Sequence, residues 1–243
     1  MQDASTFWEH VQELRGRLIK SLIAIVLGAG LAYSQWEKLW AVLAYPITSK
    51  KLPVAFIATS PMETVVTSFK LSMLAGLLLA FPWVTWQVWR FVAPGLYAGE
   101  KKIFFGTFIG FVMMFGLGSA FCYFFVLPAG LTFLATYMSG AVTQSWKQSD
   151  FAAFIIRFLL AFGIIFELPV AAFTLSRLGL ITPKGMWSSF RIAIVIIFIA
   201  AALLTPGPDP VSQLLMAVPL CLLYLASIGI CKLAAKPNVE LAA

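Results

Sequence analysis

Three glutamates stand where a carboxylate needs a reason. Glu13 lies in Glu13-Leu14-Arg15-Gly16-Arg17, just ahead of the first apolar run. Glu100 ends Pro94-Gly95-Leu96-Tyr97-Ala98-Gly99-Glu100 and is followed by Lys101 and Lys102. Glu167 lies in Phe166-Glu167-Leu168-Pro169, inside an apolar run. Two carboxylates beside apolar and aromatic surface suit a guanidinium, whose planar fork binds carboxylate oxygens bidentately and more strongly when partly desolvated. Plainer readings stand beside this one. Glu13 and Arg17 are four apart and would make an ordinary helix-surface pair of about 0.2–0.5 kcal/mol, and Glu100 could simply balance its two lysines. Glu167 is the most expensive of the three, because a charged side chain at mid-membrane costs about 2.5–3.5 kcal/mol on insertion scales. It is either a functional acid facing a cavity or the bundle interior, or an acid bonded to a carbonyl that Pro169 frees. His10 is the only histidine, which argues against Ser-His catalysis and histidine metal sites inside the membrane.

The elements that must hold these residues follow from composition. Of the 243 residues, 61% are hydrophobic and 11% charged, with a mean hydropathy of +0.93. Soluble domains carry about 25% charged residues, so too few polar side chains exist here to cover a soluble core. The expectation is an all-α membrane protein, a single integral-membrane domain over 1–243. Asp3, Glu9 and Glu13 dilute the basic start, and no small-residue cleavage site follows the first apolar run. That run is expected to be a retained span. Cys122, Cys221 and Cys231 lie in or beside apolar runs, without metal or disulfide spacing, and are read as small apolar fillers.

Charge divides the chain into apolar runs at 18–36, 68–89, 103–126, 151–175, 192–204 and 211–230. About 20 helical residues cross about 30 Å of hydrocarbon. The fifth run falls short, and with the sixth it could form a re-entrant hairpin. Six spans, with the fifth and sixth short, are preferred, because Arg191 and Lys232 then anchor both ends on one side. An even number puts both termini on the same face. Eleven of the 17 lysines and arginines fall there: Arg15, Arg17, Lys20, Arg90, Lys101, Lys102, Arg177, Lys184, Arg191, Lys232 and Lys236. The positive-inside rule makes that face cytoplasmic, with Glu13 and Glu100 both on it. The net charge of +7 reflects orientation and anionic-lipid contact, with no bearing on nucleic acid.

The remaining segments are a cytoplasmic N-terminal helix at 1–17, an outer cap loop at 37–67, a second outer loop at 127–150 and a cytoplasmic tail at 231–243. Pro46, Pro53 and Pro61 break the cap segment, which is expected to be a folded outer cap with short helical pieces. Trp83, Trp86, Trp89 and Trp187 fall toward inner span ends, as an interfacial belt would. Gly106-x-x-x-Gly110 is read as close packing within the bundle in preference to a dimerisation seam. Asp209 is placed to cap the sixth span from the turn before it.

The chain resembles the TatC family, the core receptor subunit of the twin-arginine protein translocase, over nearly its whole length. The resemblance rests on His10-Val11-Gln12-Glu13-Leu14-Arg15-Gly16-Arg17, Ser60-Pro61-Met62-Glu63, Gln87-Val88-Trp89-Arg90-Phe91-Val92-Ala93-Pro94-Gly95-Leu96-Tyr97 through Glu100-Lys101-Lys102, Phe162 through Pro169, and Leu204-Thr205-Pro206 through Asp209 to Ser212-Gln213. It implies a cytoplasmic site for the paired arginines of folded-cargo signal peptides, formed by Glu13 and Glu100 with Arg15, Arg17, Phe91, Pro94, Leu96 and Tyr97. It implies docking of TatA- and TatB-type single-span subunits at Thr205 and Gln213, with Pro46, Pro61 and Asp209 in the outer region. It also implies self-association in a larger complex, residence in the bacterial inner membrane, and transport driven by the proton-motive force with no cofactor and no enzymatic activity. The turn at Pro206-Gly207-Pro208-Asp209-Pro210 looks one residue longer than the family's Thr-Pro-Pro-Asp pattern. The competing expectation is a proton-coupled small-solute transporter using Glu167, which would need a path between the faces and, usually, internal repeats. An intramembrane hydrolase is more remote, since no span carries a histidine or paired aspartates.

Overall fold

A backbone in hydrocarbon must satisfy its own hydrogen bonds, which favours helices. The computed structural model describes residues 2–92, 101–137, 144–205 and 210–235. Their elements are helices α1 (Gln2–Tyr33) and α2 (Trp36–Thr48), strand β1 (Val54–Ile57), helices α3 (Glu63–Val92), α4 (Lys101–Phe121) and α5 (Leu127–Thr136), strand β2 (Gln144–Lys147), and helices α6 (Gln148–Ile165), α7 (Leu168–Arg177), α8 (Pro183–Ser188), α9 (Phe190–Leu204) and α10 (Pro210–Ala234). Five stretches are long and apolar enough to cross a membrane: Val11–Tyr33, Glu63–Phe91, Phe105–Thr136, Gln148–Arg177 and Pro210–Ala234. The sixth, α9, has 15 residues and rises about 22 Å. The all-α membrane fold with six spans is therefore observed with its fifth span short, but the last span in chain order, expected to be short as well, is the 25-residue α10, because the helix starts at Pro210 and runs past Ile230 to Ala234.

The chain forms two compact units, Met1–Val42 with Thr64–Val112, and Leu43–Glu63 with Met113–Ala243. In the first, α1 and α3 run antiparallel, as the pairs Arg17–Gln87 and Tyr33–Phe69 show. They touch at backbone level. A Cβ on Gly76 would lie 2.4 Å from the Ala29 nitrogen and 2.6 Å from the Ile25 oxygen. Lipid tails are as apolar as a leucine, so such contacts gain van der Waals packing and not transfer from water. Trp86 packs on Phe105 and Phe108 of α4, and buried Trp89 on Phe111. These two tryptophans thus turn their rings onto α4, while Trp83 and Trp187 remain exposed. The Gly106 expectation is also corrected: a Cβ there would meet nothing within 4 Å.

In the second unit the small residues sit elsewhere. A Cβ on Gly118 would lie 2.6 Å from the Phe162 oxygen, and one on Gly163 2.6 Å from the Phe115 ring. Phe154, Phe158, Phe162 and Phe166 stack at four-residue intervals along one face, and Phe121 joins the last two. A π-helical turn, Cys122–Val126, joins α4 to α5. It precedes Pro128, which has no N–H to return to residue 124. The helical run therefore continues to Thr136, well into the segment read as a second loop. Helix α10 lies along α7, with Ser176 Oγ donating to the Cys231 oxygen at 3.0 Å. Cys122 and Cys231 are fully buried, Cys221 half-buried, and all three are free thiols.

The cap is folded, with helix α2 and strand β1. Pro46 does not break α2, which continues to Thr48, although its ring supplies no N–H to the carbonyl four residues back. Strand β1 pairs in parallel with β2, Val54 opposite Gln144 and Ile57 opposite Lys147. Lys50 Nζ donates to Thr132 Oγ1 at 3.1 Å. Buried Glu63 closes the arrangement. Its Oε2 accepts from Thr59 N at 2.7 Å and Thr59 Oγ1 at 2.8 Å, and its Oε1 from Ser149 N at 2.9 Å. Ser149 is in the first turn of α6, where backbone N–H groups lack intrahelical partners and the helix dipole favours an anion.

Two predictions follow from this packing. Gly76→Ala should destabilise the detergent-solubilised protein by about 1–3 kcal/mol through overpacking against α1. Gly106→Ala should be neutral or gain up to about 1 kcal/mol from helix propensity; thermal unfolding of both variants checks the contrast. Glu63→Gln keeps one acceptor oxygen but turns an amide donor toward donors. Amide hydrogen exchange should then quicken in the first turn of α6 and in β1 while α1 is unchanged.

Candidate functional site

The α1–α3 crossing builds a small hollow of about 240 Å³, lined by Glu13, Gly16, Arg17, Lys20, Gln87 and Arg90. Helical spacing puts Glu13, Gly16, Arg17 and Lys20 on one stripe of α1, and the antiparallel crossing brings the last turns of α3 beside them. Arg17 is the organising side chain. Its Nη2 donates to Glu13 Oε1, and its Nη1 donates to the Gln87 main-chain oxygen at 3.2 Å. The Arg17 side chain is 15% exposed and that of Glu13 45%. The Glu13–Arg17 pair is thus the ordinary i,i+4 pair, extended across to a second helix.

The charge balance decides what this hollow can bind. Among its lining residues Glu13 is the one carboxylate, set among Arg17, Lys20 and Arg90. A guanidinium arriving at Glu13 competes with Arg17 and meets two further cations, so Glu13 alone is a poor cation site. A second carboxylate would reverse that balance. Glu100, expected to supply it, lies outside the described residues, as do Pro94, Leu96, Tyr97 and Asp209. Arg15 is exposed, two positions off the stripe, and Phe91 is half-buried at the end of α3. The sequence reading passed over Gly16, Lys20, Gln87 and Arg90 as site residues. The signal was available for Gln87 and Arg90, which stand in the same quoted motif as Phe91.

Glu167 sits where the fourth span breaks. Helix α6 ends at Ile165, and α7 starts at Leu168 with Pro169 in its first turn. Glu167 N donates to the Ile164 oxygen at 3.1 Å, while the Glu167 side chain caps nothing. Both of its carboxylate oxygens are buried and have no hydrogen-bond partner among the described residues. The carbonyl-bonding reading is therefore not what the structure adopts. Ser119 Oγ is a second buried polar atom without a partner among the described residues. It adjoins Gly118, which packs on Phe166.

At the α9–α10 end, Thr205 is buried and its Oγ1 donates to the Ala201 oxygen at 2.9 Å. Gln213 Nε2 donates to the Phe198 oxygen at 3.1 Å and ties α10 to α9. Pro61 lies exposed in the turn before α3, and Pro46 is buried in α2. Glu63, quoted only as part of a motif, proves to be the residue that joins the cap to α6.

The family model described as Sec-independent protein translocase protein (TatC) matches residues 9–219. The protein of that description from Carboxydothermus hydrogenoformans is 37% identical over 227 residues, covering 93% of this chain and 93% of that protein. Its counterpart from Aquifex aeolicus is 37% identical over 235 residues, covering 96% and 97%. A crystal structure of a twin arginine translocase receptor, TatC, superposes with a TM-score of 0.86 at 38% identity, covering 93% of this chain and 100% of that one.

Proposed function

The chain belongs to the TatC family, and from that premise we propose that it is the membrane receptor and assembly platform for export of folded proteins bearing twin-arginine signal peptides. The observation that carries this reading is the near-complete structural similarity to a twin arginine translocase receptor. On this reading the protein is a multi-pass component of the bacterial inner membrane, and both termini are cytoplasmic. Export draws on the proton-motive force, with TatA- and TatB-type single-span subunits as partners. It has no enzymatic role. The solute-transporter alternative finds no support, since the relatives described above are protein translocase components.

The signal site is the α1–α3 hollow with the 93–100 segment. Glu13 and Glu100 together receive guanidinium groups; Arg17 holds Glu13 in place before the ligand arrives and gives way to it. Arg15, Phe91, Pro94, Leu96 and Tyr97 supply the surrounding surface. Partner helices dock against the short α9 and the start of α10, around Thr205 and Gln213. The shortness of α9 thins the bilayer there, a modest cost per ångström of mismatch that a neighbouring helix can relieve. Glu167 serves as a hydrogen-bonding foothold for a polar group entering the bundle and transfers no proton in a catalytic sense.

Binding of a twin-arginine peptide to the purified protein in nanodiscs, against a twin-lysine control, tests the receptor reading. Glu13→Gln and Glu100→Gln should each weaken the twin-arginine peptide about tenfold, as loss of one charge-assisted pair predicts. Glu100→Arg should be weaker still. Unchanged affinity in all three variants would remove these carboxylates from the site.

Export assays at matched expression test Glu167. Glu167→Gln should keep most transport, because the amide still donates and accepts, and Glu167→Leu should lose most of it. A dead Gln variant would mean that the carboxyl proton itself is needed.

A further inference from the structure

Three candidate spans have ends that meet around one cavity: α5 finishes at Thr136, α6 starts at Gln148 and α10 starts at Pro210. The cavity between them has a volume of about 860 Å³. Small-molecule pockets run to about 300–1,000 Å³. Its inner wall is apolar, with Leu131, Phe151 and Phe154 buried behind it. Its rim is polar and prearranged. Trp146 Nε1 donates to Gln144 Oε1 at 3.3 Å, and Gln144 Nε2 donates to the Tyr137 oxygen at 3.2 Å. Tryptophan and tyrosine at span ends mark the depth of lipid headgroups.

Two charges complete the lining, Lys147 and Asp150. Lys147 is the last residue of β2 and Asp150 belongs to the first turn of α6. Neither has a side-chain hydrogen bond or ion pair among the described residues. An apolar wall, an aromatic rim and, among the described residues, one unpaired charge of each sign match a single ligand chemistry. A purely anionic headgroup would suit Lys147 but meet repulsion from Asp150, and a purely apolar ligand would leave both charges unanswered.

We propose that this cavity is a binding site for one zwitterionic phospholipid of the phosphatidylethanolamine type, with its phosphate at Lys147, its primary ammonium at Asp150 and an acyl chain along the Leu131–Phe154 wall. The lipid would then be a specific ligand of the cap-bearing end of the second unit, distinct from the annular lipid that covers the exposed helix faces. The proposal is independent of the signal-peptide reading, because it uses none of the α1–α3 residues.

Delipidated full-length protein, titrated with phosphatidylethanolamine or phosphatidylglycerol and observed by native mass spectrometry, tests it. One phosphatidylethanolamine should be retained about tenfold more tightly than phosphatidylglycerol. Asp150→Asn should erase that preference while leaving phosphatidylglycerol retention unchanged or improved, and Lys147→Gln should weaken both lipids. A headgroup-photoreactive phosphatidylethanolamine, crosslinked to the wild-type protein and mapped by peptide sequencing, should label 144–154, so the test stands even if a variant fails to fold. Equal retention of the two lipids with labelling spread over all spans would overturn the proposal. So would a co-purifying polypeptide that occupies 144–154 and excludes the probe.

Discussion

Hydrocarbon gives a polypeptide backbone nothing to hydrogen-bond with, and this constraint governs the whole molecule. Every crossing segment is helical, and each departure from a regular helix inside a span goes with a specific cause. The π-helical turn Cys122–Val126 precedes Pro128, and the α6–α7 break precedes Pro169. In both places the regular helical bonding is interrupted beside a missing N–H while neighbouring amides find other partners, as Glu167 N does with the Ile164 oxygen. The ribbon of β1 and β2 lies outside the long apolar helices, where backbone groups are not confined to intrahelical partners.

The same solvent removes the usual reason for helices to pack. With lipid tails as good a solvent for leucine as a protein interior, the units are held by shape. Gly76 lets α1 and α3 meet backbone to backbone; around the phenylalanine stack of α6, Gly118 admits the Phe162 carbonyl and Gly163 the Phe115 ring. The large apolar side chains that a soluble protein would hide, such as Leu22, Leu27, Ile196 and Leu203, are exposed. That is where they belong when the surroundings are lipid.

Acidic side chains meet the constraint in three different ways. Glu13 is held by a guanidinium that itself bridges two helices. Glu63 is buried among main-chain and hydroxyl donors at a helix start. Glu167 has neither arrangement among the described residues, and its oxygens are buried nonetheless. An acid left unanswered in a packed bundle is costly, which gives it value as an acceptor for something that enters. The first two acids hold the resting structure together, and the third offers it a contact yet to be made.

Composition, charge spacing and run length determined, by themselves, the membrane class, the six spans and the shortness of the fifth. Those properties depend on transfer between water and hydrocarbon, which each residue carries with it wherever it sits. The stripe from Glu13 to Arg17 was legible for the same reason, since helical periodicity is local. Which glycines make contacts was not legible. Gly106-x-x-x-Gly110 has the more familiar spacing, yet Gly106 faces open space and Gly76 makes the crossing, because a crossing point depends on both helices. The pairing of Val54–Ile57 with the polar segment Gln144–Lys147 was equally hidden, since its partners are about 90 residues apart and only one of them reads as a strand. Glu63 shows the limit most directly. An acid before an apolar run says nothing of its ligands until tertiary structure brings the Ser149 N–H, 86 positions away, to within hydrogen-bonding reach.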